Sequence, residues 1–94
     1  MTETTRPTLT IYRRPGCHLC DDAELLLRDE LAERARAGLP PVEVVHVDIS
    51  TDPALESRYR RSIPVFAIGE VESDLVTSGR QVREFLTQAL PSPQ

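Results

Sequence analysis

The sequence predicts an α/β domain in which a four-stranded mixed sheet carries helices on both faces, in the order β-α-β-α-β-β-α. Three observations lead there. Short β-branched runs alternate with longer leucine-rich stretches of helical period. The two cysteines, Cys17 and Cys20, lie where the first such run gives way to the first helical stretch. Pro64 opens the third run, one of the few places in a sheet where a residue without an N–H is tolerated.

Thr8 to Arg13 alternates, with Leu9 and Ile11 on one face and Thr8, Thr10 and Tyr12 on the other, before Pro15-Gly16 punctuates the chain. From Cys17, the apolar positions Leu19, Cys20, Ala23, Leu26, Leu27, Leu31 and Ala35 keep a helical period for about five turns. Gly38 and Pro40-Pro41 stop that helix. Val42 to Ile49 is rich enough in β-branched residues to be expected as a largely buried strand, parallel to the first. Asp52 before Pro53 offers a cap and a first-turn proline for a short helix whose buried side is expected to be Ala54, Leu55 and Tyr59. Ile63 to Ile68 is the third strand, Gly69-Glu70 a turn, and Val71 to Val76 a short, irregular fourth strand. Ser78 caps a last helix through Val82, Phe85, Leu86, Ala89 and Leu90. The reading is one domain over residues 8–90, with loose termini at 1–7 and 91–94.

With 94 residues the chain can bury one modest core. Fifteen acidic against eleven basic residues give a net charge of −4, and the basic residues, all arginine, form no single stripe, so nucleic acid is not expected as a partner. Met1 to Pro7 has no apolar signal core, and no apolar run reaches membrane-spanning length. A cytoplasmic monomer with no membrane partner is expected, and in a reducing compartment a lone C-x-x-C pair is more often catalytic or metal-binding than a structural staple.

The chemistry is concentrated at Cys17 and Cys20. Two cysteines at this spacing, between a strand and a helix, match the redox motif of thioredoxin-like proteins. At the start of a helix, the free N–H groups and the positive dipole end stabilise a thiolate, so Cys17 is the candidate nucleophile. Cys20, aligned with Ala23, Leu27 and Leu31 on the apolar face, is the candidate resolving thiol. An imidazolium at His18 would favour the thiolate, and an exposed, inert first-turn histidine weighs equally. Asp21, Asp22 and Glu24 suit a helix N-terminus yet oppose ionisation of a neighbouring thiol. His46, within the valine-rich strand, reads as a satisfied sheet histidine. Arg13 and Arg14 are candidates to stabilise the thiolate or receive a carboxylate, Arg14 the better placed.

Arg14-Pro15-Gly16-Cys17-His18-Leu19-Cys20 after strand one, Ile63-Pro64-Val65 opening strand three, and the order of elements make the chain resemble thioredoxin-fold proteins. The likeness is closest to the glutaredoxins and small glutaredoxin-like proteins, over Thr8 to about Leu90. The resemblance implies a cis Ile63–Pro64 bond facing the cysteines across a groove, with the Ile63 backbone bonding an extended thiol substrate as an added strand would. It also implies substrate-groove roles for Arg14, His18, Leu19, Ser78 and Gly79. The chain departs from the family pattern in two places. Glutaredoxins typically carry proline and an aromatic residue where His18 and Leu19 stand, and Val76-Thr77-Ser78-Gly79-Arg80-Gln81 replaces a Gly-Gly-x-x-Asp-like segment, removing the acidic partner of glutathione's amino group.

The function expected is a glutaredoxin-like thiol–disulfide oxidoreductase acting on protein or small-molecule disulfides, reduced in turn by a thioredoxin system or by glutathione. It needs no cofactor beyond thiols and no metal, glutathione entering only as a co-substrate. The competing classes are a zinc- or iron–sulfur-binding module using the same cysteines and a degenerate thioredoxin-fold interaction domain. One C-x-x-C supplies two of the four ligands that a structural zinc site needs.

Overall fold

The computed structural model describes residues 6–90, so the expectation of loose ends at 1–5 and 91–94 lies outside the described residues. Pro7 is tied in: its carbonyl accepts the Glu43 N–H at 2.9 Å. Strand β1 spans Thr8–Arg13, followed by helix α1 (His18–Arg36), strand β2 (Glu43–Asp48), a single 3-10 turn (Ile49–Thr51), helix α2 (Pro53–Tyr59), strands β3 (Val65–Ile68) and β4 (Val71–Ser73), and helix α3 (Gly79–Ala89). The sheet order is β2-β1-β3-β4. β1 pairs parallel with β2, Leu9 opposite Val44 and Ile11 opposite His46, and antiparallel with β3, Ile11 opposite Phe66 and Tyr12 opposite Val65.

Period-two alternation in β1 sends its side chains to two separate cores, one on each face of the sheet. Leu9 and Ile11 join Ala23 and Leu27 of α1, Phe66 of β3 and Val82, Phe85 and Leu86 of α3, so α1 and α3 share one face. Tyr12 turns the other way onto Tyr59, Ile49 and Val65, under α2. The Tyr12 and Tyr59 rings stack with centroids 4.4 Å apart. The Tyr59 hydroxyl donates to Glu72 Oε2 at 2.7 Å, and burial, with that hydrogen bond, pushes its pKa up to about 12.

Helix ends follow local chemistry. α1 stops where Gly38 adopts φ +79°, a left-handed conformation that glycine takes without penalty, and the N–H groups of Gly38 and Leu39 close back on Ala35 O and Arg34 O. Asp52 caps α2 by accepting from Ala54 N at 2.9 Å, with Pro53 at its first position. Ser78 caps α3 by accepting from Gln81 N at 3.1 Å.

Four expectations change. The third strand begins at Val65 rather than Ile63, after the proline that has no N–H to give the ladder, and the fourth ends at Ser73 rather than Val76. The second strand, expected to be largely buried over Val42 to Ile49, is an edge strand with an exposed or half-exposed surface; Val45 is 37% exposed, and only Ile49, beyond the strand, is fully buried. Its valines favour extended backbone as much as burial, and strand order is set by long-range pairing that a local pattern does not encode. Ala54 is exposed rather than part of the buried side of α2, which rests on Leu55 and Tyr59.

Candidate active site

Three segments meet at one end of the sheet: the β1–α1 loop, the chain leading into β3, and the strap after β4. Arg13 ends β1, and Pro15-Gly16, with Gly16 at φ +78°, turns the chain into α1. Antiparallel pairing of Tyr12 with Val65 brings Ile63-Pro64 to that same end. The Ile63–Pro64 peptide is cis, as the resemblance implies, and Pro64 is fully buried. The strap then crosses: Leu75 N–H donates to Ser62 O at 2.8 Å and Val76 N–H to Pro64 O at 3.2 Å.

Cys17 is the N-cap of α1, with extended backbone and its Sγ accepting the Cys20 N–H at 3.1 Å. One of the otherwise orphan donors of the first turn is thereby aimed at the sulfur. Cys17 and Cys20 are joined as a disulfide with their Cα atoms 5.2 Å apart. Cys17 is half-buried and Cys20 is 0% exposed, packed on the same helix face as Ala23 and Leu27. A reagent from solvent therefore meets the Cys17 sulfur first. His18 is exposed, and Leu19, 49% exposed, projects a large apolar side chain from the same turn.

The charges around the pair are organised by the two arginines. Arg13 bonds Asp21 Oδ1 at 2.7 Å and also Glu24, whose other oxygen lies 3.0 Å from His46 Nε2. The Asp21 hydrogen bond chiefly, with Glu24 adding to it and burial opposing it, holds the Arg13 guanidinium above its ordinary pKa. Two of the three carboxylates opposing a Cys17 thiolate are thus already paired. His46 is satisfied, as expected, but its side chain is 52% exposed on the edge strand. Arg14 turns to α2, with Nη1 3.0 Å from Glu56 Oε2. Asp48, close to both arginines, has its carboxyl held low mainly by hydrogen bonds from the Ser50 hydroxyl and N–H.

Of the expected groove residues, Arg14, His18, Leu19, Ile63 and Pro64 belong to the sheet end that holds the cysteines. Ser78 and Gly79 follow the strap whose Val76 N–H donates to Pro64 O, and Gly79 lies beside the Leu26 and Glu30 side chains of α1. The Ile63 N–H already donates to Tyr59 O at 3.2 Å, so its carbonyl is the backbone group left for an added strand.

Two residues escaped the sequence reading. Gln81 accepts from Thr77 N–H at 2.8 Å, Thr77 Oγ1 and Ser78 Oγ, and donates to Leu75 O, fixing the strap on which Leu75 takes φ +49°. The spacing Ser78-x-x-Gln81 is a capping-box signal that could have found it. Glu56 pairs with a residue 42 positions earlier, and no local signal announces that contact. Among the described residues no group of three or more His, Cys, Asp or Glu is gathered as a metal site would need, and no helix is long and apolar enough to cross a membrane.

A family model described as Glutaredoxin-like domain (DUF836) matches residues 8–91. Among solved structures, a Northeast Structural Genomics target protein from X. campestris is 36% identical with a TM-score of 0.67, over 87% of this chain and 99% of that one. A malarial protein, 12% identical with a TM-score of 0.60 over 93% of this chain and 100% of its own, shares the fold. No curated protein sequence matches the chain.

Proposed function

The chain belongs to the glutaredoxin-like domain family, and on that premise we propose that it is a thiol–disulfide oxidoreductase with Cys17 as nucleophile and Cys20 as resolving thiol. The single observation that carries this is the asymmetry of the Cys17–Cys20 disulfide: one sulfur at a helix N-cap and reachable, the other buried one turn on. In the reduced protein the Cys17 thiolate attacks one sulfur of a substrate disulfide, and the other leaves as a thiolate that solvent protonates. The Cys20 thiolate then attacks Cys17 Sγ, breaks the mixed disulfide and releases the second substrate thiolate. The substrate gains two electrons, and the protein is left as the 17–20 disulfide.

An external thiol reductant restores the dithiol by the reverse exchange. A dithiol donor such as a thioredoxin system is the favoured one, because the chain opening α3 carries no acidic residue for the amino group of glutathione, the Glu30 carboxylate beside Gly79 is already paired with Arg83 at 2.7 Å, and Arg80 there is a like charge, itself paired with Glu84 at 3.3 Å. Leu19 and the carbonyl of Ile63 supply apolar and strand-like contacts to a protein disulfide. No other cofactor enters the reaction.

The test is to mix the reduced protein with bis(2-hydroxyethyl) disulfide and follow its thiols. Loss of two thiols per chain with return of the 17–20 disulfide is expected, and Cys17→Ser should slow the release of 2-mercaptoethanol to the rate of an uncatalysed thiol. Release by Cys17→Ser as fast as by the wild type would refute the assignment.

A further inference from the structure

We propose that Glu56 is a specificity-determining residue: an internal carboxylate that occupies Arg14 and so disfavours carboxylate-bearing thiols at the cysteine pair. The inference rests on the thiol–disulfide reading above. Arg14 stands three residues before Cys17, and among the described residues Glu56 is its one ion-pair partner, at 3.0 Å. Arg13, the neighbouring cation, is already shared between Asp21 and Glu24. Of the two arginines on the chain leading into Cys17, Arg14 is therefore the one not committed to α1, and Glu56 holds it.

The pair is built to exchange. Glu56 is fixed on α2, its N–H bonded to Asp52 O and its carbonyl to Arg60 N–H, whereas Arg14 lies in a loop. The side chains are 44% and 28% exposed, and Glu56 Oε1 is buried without a hydrogen-bond partner. The contact is thus one-sided, not the two-pronged clamp that a guanidinium makes with a well-placed carboxylate. A substrate carboxylate offering both oxygens can displace it, but only by leaving the Glu56 charge unpaired. Partly exposed pairs are worth up to about 1 kcal/mol, a factor of about five in rate or affinity. A thiol without a carboxylate is spared that factor.

The reaction that reads this out is reduction of the 17–20 disulfide by a monothiol. A glutathione thiolate bonds to Cys17 Sγ, the 17–20 bond breaks, and Cys20 leaves as a thiolate and takes a proton from solvent. A second glutathione thiolate attacks the glutathione sulfur of the mixed disulfide, releasing the Cys17 thiolate and glutathione disulfide. Two electrons pass to the protein. Glutathione diethyl ester performs the same chemistry without free carboxylates.

The experiment measures the ratio of reduction rates, glutathione over its diethyl ester, each corrected for its thiolate fraction. The proteins are wild type, Glu56→Gln, Glu33→Gln as an equal change of net charge at the exposed C-terminal end of α1, and Glu56→Gln in an Arg14→Gln background; circular dichroism verifies the fold of each. The ratio is expected to rise about fivefold in Glu56→Gln, to stay within twofold in Glu33→Gln, and not to rise when Arg14 is already Gln. A ratio unmoved by Glu56→Gln, or raised equally by Glu33→Gln or without Arg14, overturns the proposal. Dithiothreitol separates the two readings. If it reduces the wild-type disulfide while the ratio fails to respond, only the role of Glu56 falls; if neither it nor the monothiols reduce that disulfide, the thiol–disulfide reading falls and takes this one with it.

Discussion

Replacing Arg13 by Gln should raise the pKa of the Cys17 thiol in the reduced protein. Arg13 neutralises Asp21, the residue whose N–H donates to Cys17 O at 3.1 Å and which therefore sits one turn above the sulfur. Residues four apart on a helix have Cβ atoms about 5–6 Å apart, which puts thiolate and carboxylate roughly 6.5 Å from each other. Because the Asp21 side chain is 59% exposed, an effective dielectric between about 40 and 80 applies. The uncovered repulsion is then about 0.6 to 1.3 kcal/mol, or about half to one pKa unit upward. The assay is the pH profile of carboxymethylation of Cys17 by iodoacetamide, read by mass spectrometry. In an Asp21→Asn background the effect of Arg13→Gln should shrink, since the charge it exposes is gone. A midpoint that stays put or falls in Arg13→Gln would show that the ion pairs of α1 do not govern the nucleophile.

Four further outcomes are expected. Cys17 should alkylate faster than Cys20, with a midpoint below the free-thiol value of about 8.5, because Cys17 accepts a first-turn N–H while Cys20 is buried. Tyr59 carries a pKa near 12 in the folded chain, above the unfolded value of about 10. Its contribution is therefore intact below pH 10 and lost as pH rises through 12, so Tyr59→Phe should flatten the fall in denaturant midpoint over that window, an effect of under about 2.7 kcal/mol. Leu27→Ala, in the core under α1, should lower unfolding free energy by about 3 kcal/mol, while Val45→Thr on the exposed edge should change it by less than about 0.5; equal losses in urea titrations would contradict the edge placement of β2. At equal thiol concentration, a dithiol donor should reduce the 17–20 disulfide faster than glutathione in stopped flow, and the reverse order would show that α3 binds glutathione without an acidic partner.

Much of the architecture was legible because it is written locally. Leu9 and Ile11 alternate, Cys20, Ala23 and Leu27 share a helix face and Asp52-Pro53 starts α2, and each is placed so in the structure; Pro64, expected within the start of the third strand, stands just before it. The exposure of β2 was not legible, because Val44, Val45 and Val47 satisfy an edge strand as well as a central one. The cysteine pair could be read from spacing alone. Its electrostatic setting could not: Arg13 with Asp21 and Glu24, Glu24 with His46, and Arg14 with Glu56 join elements distant in sequence. Resemblance placed Arg14 at the substrate groove, and only the folded chain shows the carboxylate already seated on it.

The central claim, that Cys17 forms the mixed disulfide which Cys20 resolves, is tested most directly by removing the resolving thiol. Reduced Cys20→Ser protein, incubated with a disulfide-bonded peptide and analysed by intact-mass and peptide mass spectrometry, should accumulate one covalent peptide adduct per chain. The adduct should map to Cys17 and be released by dithiothreitol. Reduced wild-type protein under the same conditions should carry the 17–20 disulfide and little adduct. An unmodified Cys17 in the Cys20→Ser protein, while the same peptide disulfide reacts with free cysteine, would contradict the account.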